Sequence, residues 1–151
     1  MEKLDQVRLG IIGLGRIADL NILGYLAHPK CELVAVCDIR PELAKKRKEE
    51  WGAKKFYTDY EKLLADPEIN AVEILLPHHL HYPVVIASAQ AKKHISLQKP
   101  MCIELWEGRK MLQACEQAGV WFRVTENFMF YPPYRQLKKW LEQGEIGKPL
   151  S

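Results

Sequence analysis

The chain has 151 residues, 48% of them hydrophobic and 27% charged, a length that suits one domain burying roughly two-thirds of its unfolded surface. The net charge of +3 is mild and the densest basic stretch, 45–48, is flanked by glutamates, which argues against a nucleic-acid-binding surface. No apolar run approaches the roughly 20 residues of a membrane-spanning helix, and the first residues, MEKLDQ, lack the apolar centre of a signal peptide.

Strand-like and helix-like segments alternate along the chain. The strands are predicted at Val7–Ile12, Leu33–Cys37, Lys55–Tyr57, Ala71–Leu76, His94–Gln98 and Val120–Thr125. The helices are predicted at about Ile17–Ala27, Pro41–Trp51, Asp59–Ala65, Pro83–Ala91, Ile103–Gln117 and Pro133–Gln143. Thr58 is expected to cap the third helix, and the mostly apolar fourth strand is typical of a sheet covered on both faces. Six strands joined by helical crossovers predict an α/β fold, a doubly wound parallel Rossmann sheet with strand order 3-2-1-4-5-6.

The stretch 7–18, VRLGIIGLGRIA, reads as a strand, a glycine turn and the start of a helix. Gly13 and Gly15 stand at the first two small positions of the dinucleotide-binding fingerprint, and Ala18 stands at the third. Gly13 permits a tight turn, Gly15 lets a pyrophosphate approach the backbone, and Ala18 lets the helix pack closely on the strand. The helix that starts near Arg16 would direct its unpaired N–H groups toward the phosphates.

Asp38 follows the second apolar run and lies about 20 residues beyond Ala18. At that distance a carboxylate accepts hydrogen bonds from the adenosine ribose hydroxyls. The same carboxylate would repel a 2′-phosphate, so Asp38 favours NAD over NADP. Arg40 keeps NADP open, because its guanidinium could bind that phosphate or lie on the adenine face.

Ligands of such a sheet bind beyond the carboxyl ends of the strands, near the point where the strand order reverses. The segments that follow strands one, two, four, five and six are 13–17, 38–40, 77–81, 98–100 and 126–130. Lys99, before Pro100, could hold a positive charge beside an alcohol oxygen as that alcohol loses its proton and hydride, and it is the expected catalytic residue. The residues expected to bind the cofactor are Gly13, Gly15, Arg16, Ile17, Asp38, Arg40, Leu76, Pro77, His78, His81, Gln98 and Asn127.

Three histidines, His78, His79 and His81, follow the fourth strand. A metal site is not predicted, because no Asp, Glu or Cys lies adjacent and metal ligands converge from set spacings. We expect at least one of the three rings to face the cofactor, and His81 is the preferred candidate.

Together these motifs resemble the N-terminal domain of the glucose-fructose oxidoreductase / inositol dehydrogenase / rhizopine catabolism (Gfo/Idh/MocA) family. The similarity runs over essentially the whole chain and includes GIIGLGRIA, CDIRPELA, LPHHLHYPVVIASAQAKKHISLQKPM, ENFMFYPPY and GEIGKPLS. The resemblance implies an NAD(P)-dependent oxidoreductase acting on sugars, polyols and their derivatives. It also implies a catalytic or substrate-positioning role for Lys99, the lysine of the family's Glu-Lys-Pro signature. The family's Pro-Asn-x-x-His pattern falls on Pro77–His81, near the nicotinamide and the substrate.

This sequence departs from the family pattern at three points. Gln98 replaces the glutamate before Lys99, which removes an ion pair but leaves an amide that can form hydrogen bonds. His78 takes the position of the asparagine. Family members also carry a C-terminal α/β domain, which supplies much of the substrate site, a general acid/base histidine and the oligomer interface, and Ser151 falls about where it would begin. We therefore expect residues 1–151 to be one dinucleotide-binding domain, as an expressed fragment, a truncated product or one part of a split enzyme.

The leading hypothesis is the NAD-binding domain of an oxidoreductase that transfers hydride to or from a sugar- or polyol-like substrate, weak or inactive alone. One alternative is a non-catalytic dinucleotide-binding module that pairs with a separate subunit or a second copy through the face left by the missing domain. Another is a methyltransferase, against which Ala18 and Lys99 argue. Four cysteines without CxxC spacing predict free, mostly buried thiols in a reducing cytoplasm, with neither a nucleic acid nor a membrane as partner.

Overall fold

The fold is a six-stranded parallel sheet flanked by helices, described in a computed structural model for residues 5–126 and 130–148. The strands are β1 (Val7–Ile12), β2 (Cys31–Cys37), β3 (Lys55–Tyr57), β4 (Ala71–Ile74), β5 (His94–Gln98) and β6 (Phe122–Thr125). The helices are α1 (Arg16–Leu26), α2 (Pro41–Trp51), α3 (Tyr60–Leu64), α4 (His81–Gln90), α5 (Leu105–Ala118) and α6 (Pro132–Gln143). The strand order β3-β2-β1-β4-β5-β6, with every pairing parallel, confirms the doubly wound Rossmann prediction.

Apolar side chains of alternate strand residues form two cores, one on each face of the sheet. On one face, Leu9 and Ile11 of β1 pack with Ala18 and Ile22 of α1, all nearly inaccessible to solvent. On the other face, the core includes Ile74, Val85, Leu97 and Met111 from the strands and helices of the second half. Burying each large aliphatic side chain contributes roughly 1.5–3 kcal/mol, so the cores hold the helices against the sheet.

Several element ends differ from the expectation by one or two residues, and two local differences lie next to the site. The cap of α3 is Asp59 rather than Thr58: one carboxylate oxygen of Asp59 accepts the backbone N–H of Glu61 at 2.9 Å. A carboxylate at the N-cap both accepts that bond and faces the positive end of the helix dipole. The fourth strand ends at Ile74 rather than Leu76, since Leu75 and Leu76 turn to line a cleft above the sheet.

Only part of the sheet is covered on both faces by described elements, contrary to expectation. On the face that α1 shares, β4, β5 and β6 present Glu73, Ser96, Arg123 and Thr125. We call these four residues the open half-face. Two adjoining cavities of about 370 and 400 Å³ lie over it, walled on the α1 side by Tyr25. The alternation of polar and apolar residues in β5 and β6 is that of strands with one face toward solvent.

The four cysteines differ in burial. All four cysteines are free, with Cys37 and Cys115 buried and Cys31 and Cys102 half-buried. Within the described residues, every helix is too short or too polar to cross a membrane.

Candidate functional site

A cleft of about 630 Å³ lies above the carboxyl ends of β1 to β4. This volume falls within the 300–1,000 Å³ of typical cofactor sites. Its lining includes six of the residues predicted to bind a cofactor, namely Gly13, Gly15, Asp38, Arg40, Leu76 and Pro77. The cleft therefore brings the glycine turn, the end of β2 and the end of β4 to one place, at the point where the strand order reverses.

The glycine turn has the backbone geometry of a phosphate cradle. Gly13 has φ +93°, and a Cβ atom there would collide with the carbonyl oxygen of Leu75. Gly15 caps α1, and open space surrounds the position where its Cβ would lie. The first N–H groups of α1, which begins at Arg16, have no partner inside the helix and carry its positive dipole end. This arrangement fits a pyrophosphate.

Asp38 connects the glycine turn to the loop after β2. One oxygen of its nearly buried carboxylate accepts the backbone N–H of Leu14 at 3.1 Å, and the other accepts the backbone N–H of Arg40 at 3.0 Å. Burial acts to raise the pKa of Asp38, but these bonds and the Arg40 guanidinium outweigh it and lower the pKa below its usual value. The carboxylate is therefore charged at neutral pH, and it can accept hydroxyl hydrogen bonds where the exposed Arg40 guanidinium gives way to them.

Arg40 forms a two-point ion pair with Asp38. Its Nε lies 2.8 Å from one carboxylate oxygen and its Nη2 3.1 Å from the other. The guanidinium itself is largely exposed at the mouth of the cleft. A hydroxyl acceptor and an exposed cation thus stand at the same end of the site, where a ribose diol and a phosphate would each find a partner.

The loop after β3 contributes residues that the sequence analysis missed. Thr58, Asp59 and Tyr60 line the cleft, together with Leu80 from the turn before α4. The parallel sheet predicted by the sequence could have shown this, since the carboxyl end of β3 lies at the same edge as the other strand ends. It was overlooked because β3 is only three residues long and pairs with one neighbour, β2.

His81 does not face the cleft, which corrects the expectation for this residue. Its ring is fully buried, with Nδ1 3.0 Å from the carbonyl oxygen of Pro100 and Nε2 2.9 Å from that of Leu76. His78 is exposed beside it, with the two rings in an edge-on contact of 5.5 Å between centroids. Both ring nitrogens of His81 therefore lie against backbone carbonyl oxygens, and neither points into the cleft.

Lys99 is exposed at the end of β5 and is not among the residues that line the cleft. The nearly buried Gln98 accepts the backbone N–H of Lys99 at 2.8 Å through its side-chain oxygen, and the Lys99–Pro100 peptide bond is cis. The amide thus orders the backbone of the lysine and not its ammonium group.

The remaining predicted residues lie at the margins of the site. The side chains of Arg16 and Ile17 are exposed on the first turn of α1, and neither lines the cleft. Asn127 lies outside the described residues.

A parallel sheet of this order, with a glycine turn, a helix N-terminus and a charged aspartate after β2, defines a dinucleotide-binding Rossmann domain. Residues 7–126 match the model of an oxidoreductase family with an NAD-binding Rossmann fold. The chain belongs to this family, Gfo/Idh/MocA, as the motifs suggested.

Relatives of the chain include two inositol dehydrogenases. A myo-inositol 2-dehydrogenase of Thermotoga maritima is 34% identical over 143 residues, which cover 95% of this chain and 43% of that protein. A scyllo-inositol 2-dehydrogenase (NAD(+)) of Bacillus subtilis is 32% identical over 146 residues, covering 96% and 43%. The chain thus spans about two-fifths of the length of these relatives.

Solved structures of longer proteins contain the same fold. The crystal structure of a probable dehydrogenase from Thermotoga maritima has a TM-score of 0.85 at 34% identity, over 95% of this chain and 43% of that one. A 3-ketoreductase from Actinomadura kijaniata, in complex with TDP-benzene and NADP, has a TM-score of 0.89 at 26% identity, over 95% and 45%.

Proposed function

We propose that this chain is the cofactor half of a dehydrogenase that oxidises or reduces a carbinol carbon of a sugar or polyol. The observation that carries the proposal is Asp38, a charged carboxylate bonded to the glycine turn at the mouth of the cleft. The dehydrogenase relatives support an enzyme over the non-catalytic alternative and over a methyltransferase. The preference for NAD over NADP rests on the repulsion between Asp38 and a 2′-phosphate.

Each part of the cleft has a task in holding the dinucleotide. The turn at Gly13 and Gly15, with the N-terminus of α1, would hold the pyrophosphate, and Asp38 would accept the ribose hydroxyls. The apolar side chains of Leu76, Pro77 and Leu80 would exclude water from the ring systems. When bound, the nicotinamide supplies the hydride acceptor or donor.

Lys99 is the residue of this chain proposed to act on the substrate. Its ammonium group, exposed beyond the end of β5, would stabilise negative charge on the substrate oxygen as hydride is transferred. Gln98 supports the lysine by fixing its backbone N–H. Its amide carries no charge and so forms no ion pair with the ammonium group.

The open half-face is proposed as the surface against which the rest of the enzyme packs, whether a further domain, a separate subunit or a second copy. It leaves polar groups of Glu73 and Arg123 beside cavities instead of beneath a helix. The chain also spans about two-fifths of its relatives. The chain alone is therefore expected to bind NAD with little or no turnover of inositols or sugars, and efficient turnover by it alone would contradict this part.

Calorimetric titration with NAD, NADH, NADP and NADPH tests the proposal. The parent chain should prefer NAD and NADH, and Asp38→Ala should weaken NAD binding about tenfold or more, because a charged hydrogen-bond acceptor is lost. Asp5→Ala is the control, because it also removes one negative charge but at an exposed position outside the cleft. Lys99→Ala should bind NAD nearly as the parent does, since its side chain does not line the cleft. Equal affinity of the parent and Asp38→Ala for NAD would refute the assigned site.

A further inference from the structure

The ring of His81 connects the loop after β4 with the loop after β5. The pairing of β4 with β5 ends at Ile74 and Leu97, before either loop begins. Leu76 belongs to the loop after β4 and lines the cleft, whereas Pro100 follows Lys99 in the loop after β5. The ring lies between their carbonyl oxygens, at 2.9 Å from Leu76 and 3.0 Å from Pro100. It therefore spans the gap between the cofactor cleft and the lysine proposed to act on the substrate.

The contact between the ring and the two carbonyl oxygens depends on protons that only the ring can supply. Carbonyl oxygens only accept hydrogen bonds, so every bond in this bridge must be donated by the ring. A neutral imidazole donates to one carbonyl, and a doubly protonated ring donates to both. Because the ring is fully buried, a residue without a donor would leave both carbonyls without this partner in a water-poor environment.

The ring is also held on a rigid support. His81 is the first residue of α4, and the following turn buries Val84 and Val85 in the core beneath the sheet. The exposed His79, two residues earlier, makes no such bridge. The position of His81 is thus set by α4, and the ring transmits that position to the backbone on either side.

We propose that His81 is a positioning residue: it fixes the spacing of the Leu76 and Pro100 carbonyls and so holds the Lys99 loop beside the nicotinamide end of the cleft. This inference rests on the proposed function. The adenosine end, built from Asp38 and the glycine turn, has no contact with the ring. Loss of the bridge should therefore affect the nicotinamide end of the dinucleotide and spare the adenosine end.

The test compares NADH with ADP-ribose, which lacks the nicotinamide, by calorimetric titration of the whole chain. His81→Phe keeps a ring of similar size without a donor, and His81→Gln keeps an N–H donor for one carbonyl. The parent should bind NADH more tightly than ADP-ribose. In His81→Phe, NADH binding should weaken about tenfold while ADP-ribose binding changes less than about threefold. His81→Gln should lie between the two, and His79→Phe should match the parent.

Each other outcome has a definite meaning. An equal loss for NADH and ADP-ribose in both variants would show that the ring supports only general stability, and no loss for either ligand would show that it positions nothing at the nicotinamide end. Either result overturns the inference and leaves the proposed function standing. If His81→Phe does not fold, His81→Gln carries the same comparison. If the parent binds neither ligand, the proposed function itself fails and the inference fails with it.

Discussion

Gly13 and Gly15 belong to the same turn but are glycines for different reasons. Gly13 has φ +93°, and a side chain there would strike the carbonyl of Leu75. Gly15 has φ −71°, a value open to any residue, and nothing lies near its missing side chain. The first glycine is therefore required by the fold, whereas nothing in the fold requires the second, as expected if a ligand approaches it.

Replacing each glycine with alanine should separate these two roles. Gly13→Ala is expected to destabilise the chain by about 2 kcal/mol or more, because it combines a strained φ with a collision against backbone. Gly15→Ala should keep the stability of the parent but bind NAD about tenfold more weakly, because its methyl group occupies the approach of the pyrophosphate. Urea unfolding and calorimetric titration measure the two effects, and a stable Gly13→Ala would contradict the assignment.

Glu73 is a buried carboxyl in the middle of an apolar strand. Its side chain accepts the Tyr25 hydroxyl at 2.6 Å, and Ser96 and Arg123 lie against it. Burial raises the pKa of Glu73 above its usual value, even though these three neighbours act in the opposite direction. The folded chain therefore holds this proton more tightly than the unfolded chain does, and the stability of the fold falls as the pH rises above about the ordinary carboxyl pKa of 4.5.

Glu73→Gln should remove this pH dependence, since the amide can still accept the Tyr25 hydroxyl but carries no charge. We expect the variant to be more stable than the parent at pH 7 and the difference to shrink as the pH falls toward 4. Denaturant unfolding at several pH values measures the difference. A difference that is constant with pH would show that burial does not perturb the carboxyl.

At the scale of elements, α6 differs from the other helices. Its residues are exposed apart from the half-buried Leu141, although Leu137, Trp140 and Leu141 place apolar side chains on one side of it. The helix has 12 residues, a length at which an isolated helix is only marginally stable in water. The five helices before it each bury at least one residue in the two cores.

Hydrogen exchange should show this difference directly. The amides of α6 are expected to exchange through local opening with little protection, whereas those of β1 and β4 should exchange only through global unfolding. Mass spectrometry of peptic fragments at two protein concentrations measures both. Protection of α6 equal to that of the strands at low concentration would show that its apolar side is covered within one chain.

At the scale of the whole molecule, the reactivity of the four thiols depends on how deeply each is buried in the two cores. Burial raises the pKa of Cys37 to about 12, helped by the charges of Asp38 and Asp59, and burial alone raises that of Cys115 to about 11. The half-buried Cys31 and Cys102 lie nearer the surface. A thiol reacts as the thiolate, so both access and pKa slow the two buried cysteines.

Labelling with a maleimide at neutral pH should therefore modify Cys31 and Cys102 first. Cys37 and Cys115 should react only at the rate of global unfolding, and all four should react at once in denaturant. Peptide mapping after a time course measures the order. Early modification of Cys115 would indicate that the core between α5 and the sheet opens locally.

Much of the architecture could be predicted because its signals are local. The apolar runs predicted the strands, and six alternating units led to the strand order. Gly13, Gly15 and Asp38 were found in the cleft for the same reason, since their spacing reflects a single strand–turn–helix–strand unit.

One error concerns a contact between residues distant in sequence, and another concerns the local cap of a helix. His81 was expected to face the cofactor from a polar loop, but its buried ring contacts the carbonyl oxygen of Pro100, 19 residues away. Glu73 lies in the mostly apolar fourth strand, and its partner Tyr25 is 48 residues earlier, so residue spacing gives no sign of this contact. The choice of Asp59 over Thr58 as the cap of α3 depended on backbone angles that neighbouring polar residues do not reveal.

Residue order alone was enough to establish the class of fold, the glycine turn and the acidic residue after β2, because hydrophobic period and short spacings are properties of the chain itself. Tertiary structure decided which polar side chains meet: His81 with two backbone carbonyls, Asp38 with Leu14 and Arg40, and Glu73 with Tyr25. A hydrogen bond depends on distance and direction to within a fraction of an ångström. Those quantities exist only once the sheet, its helices and its loops have packed.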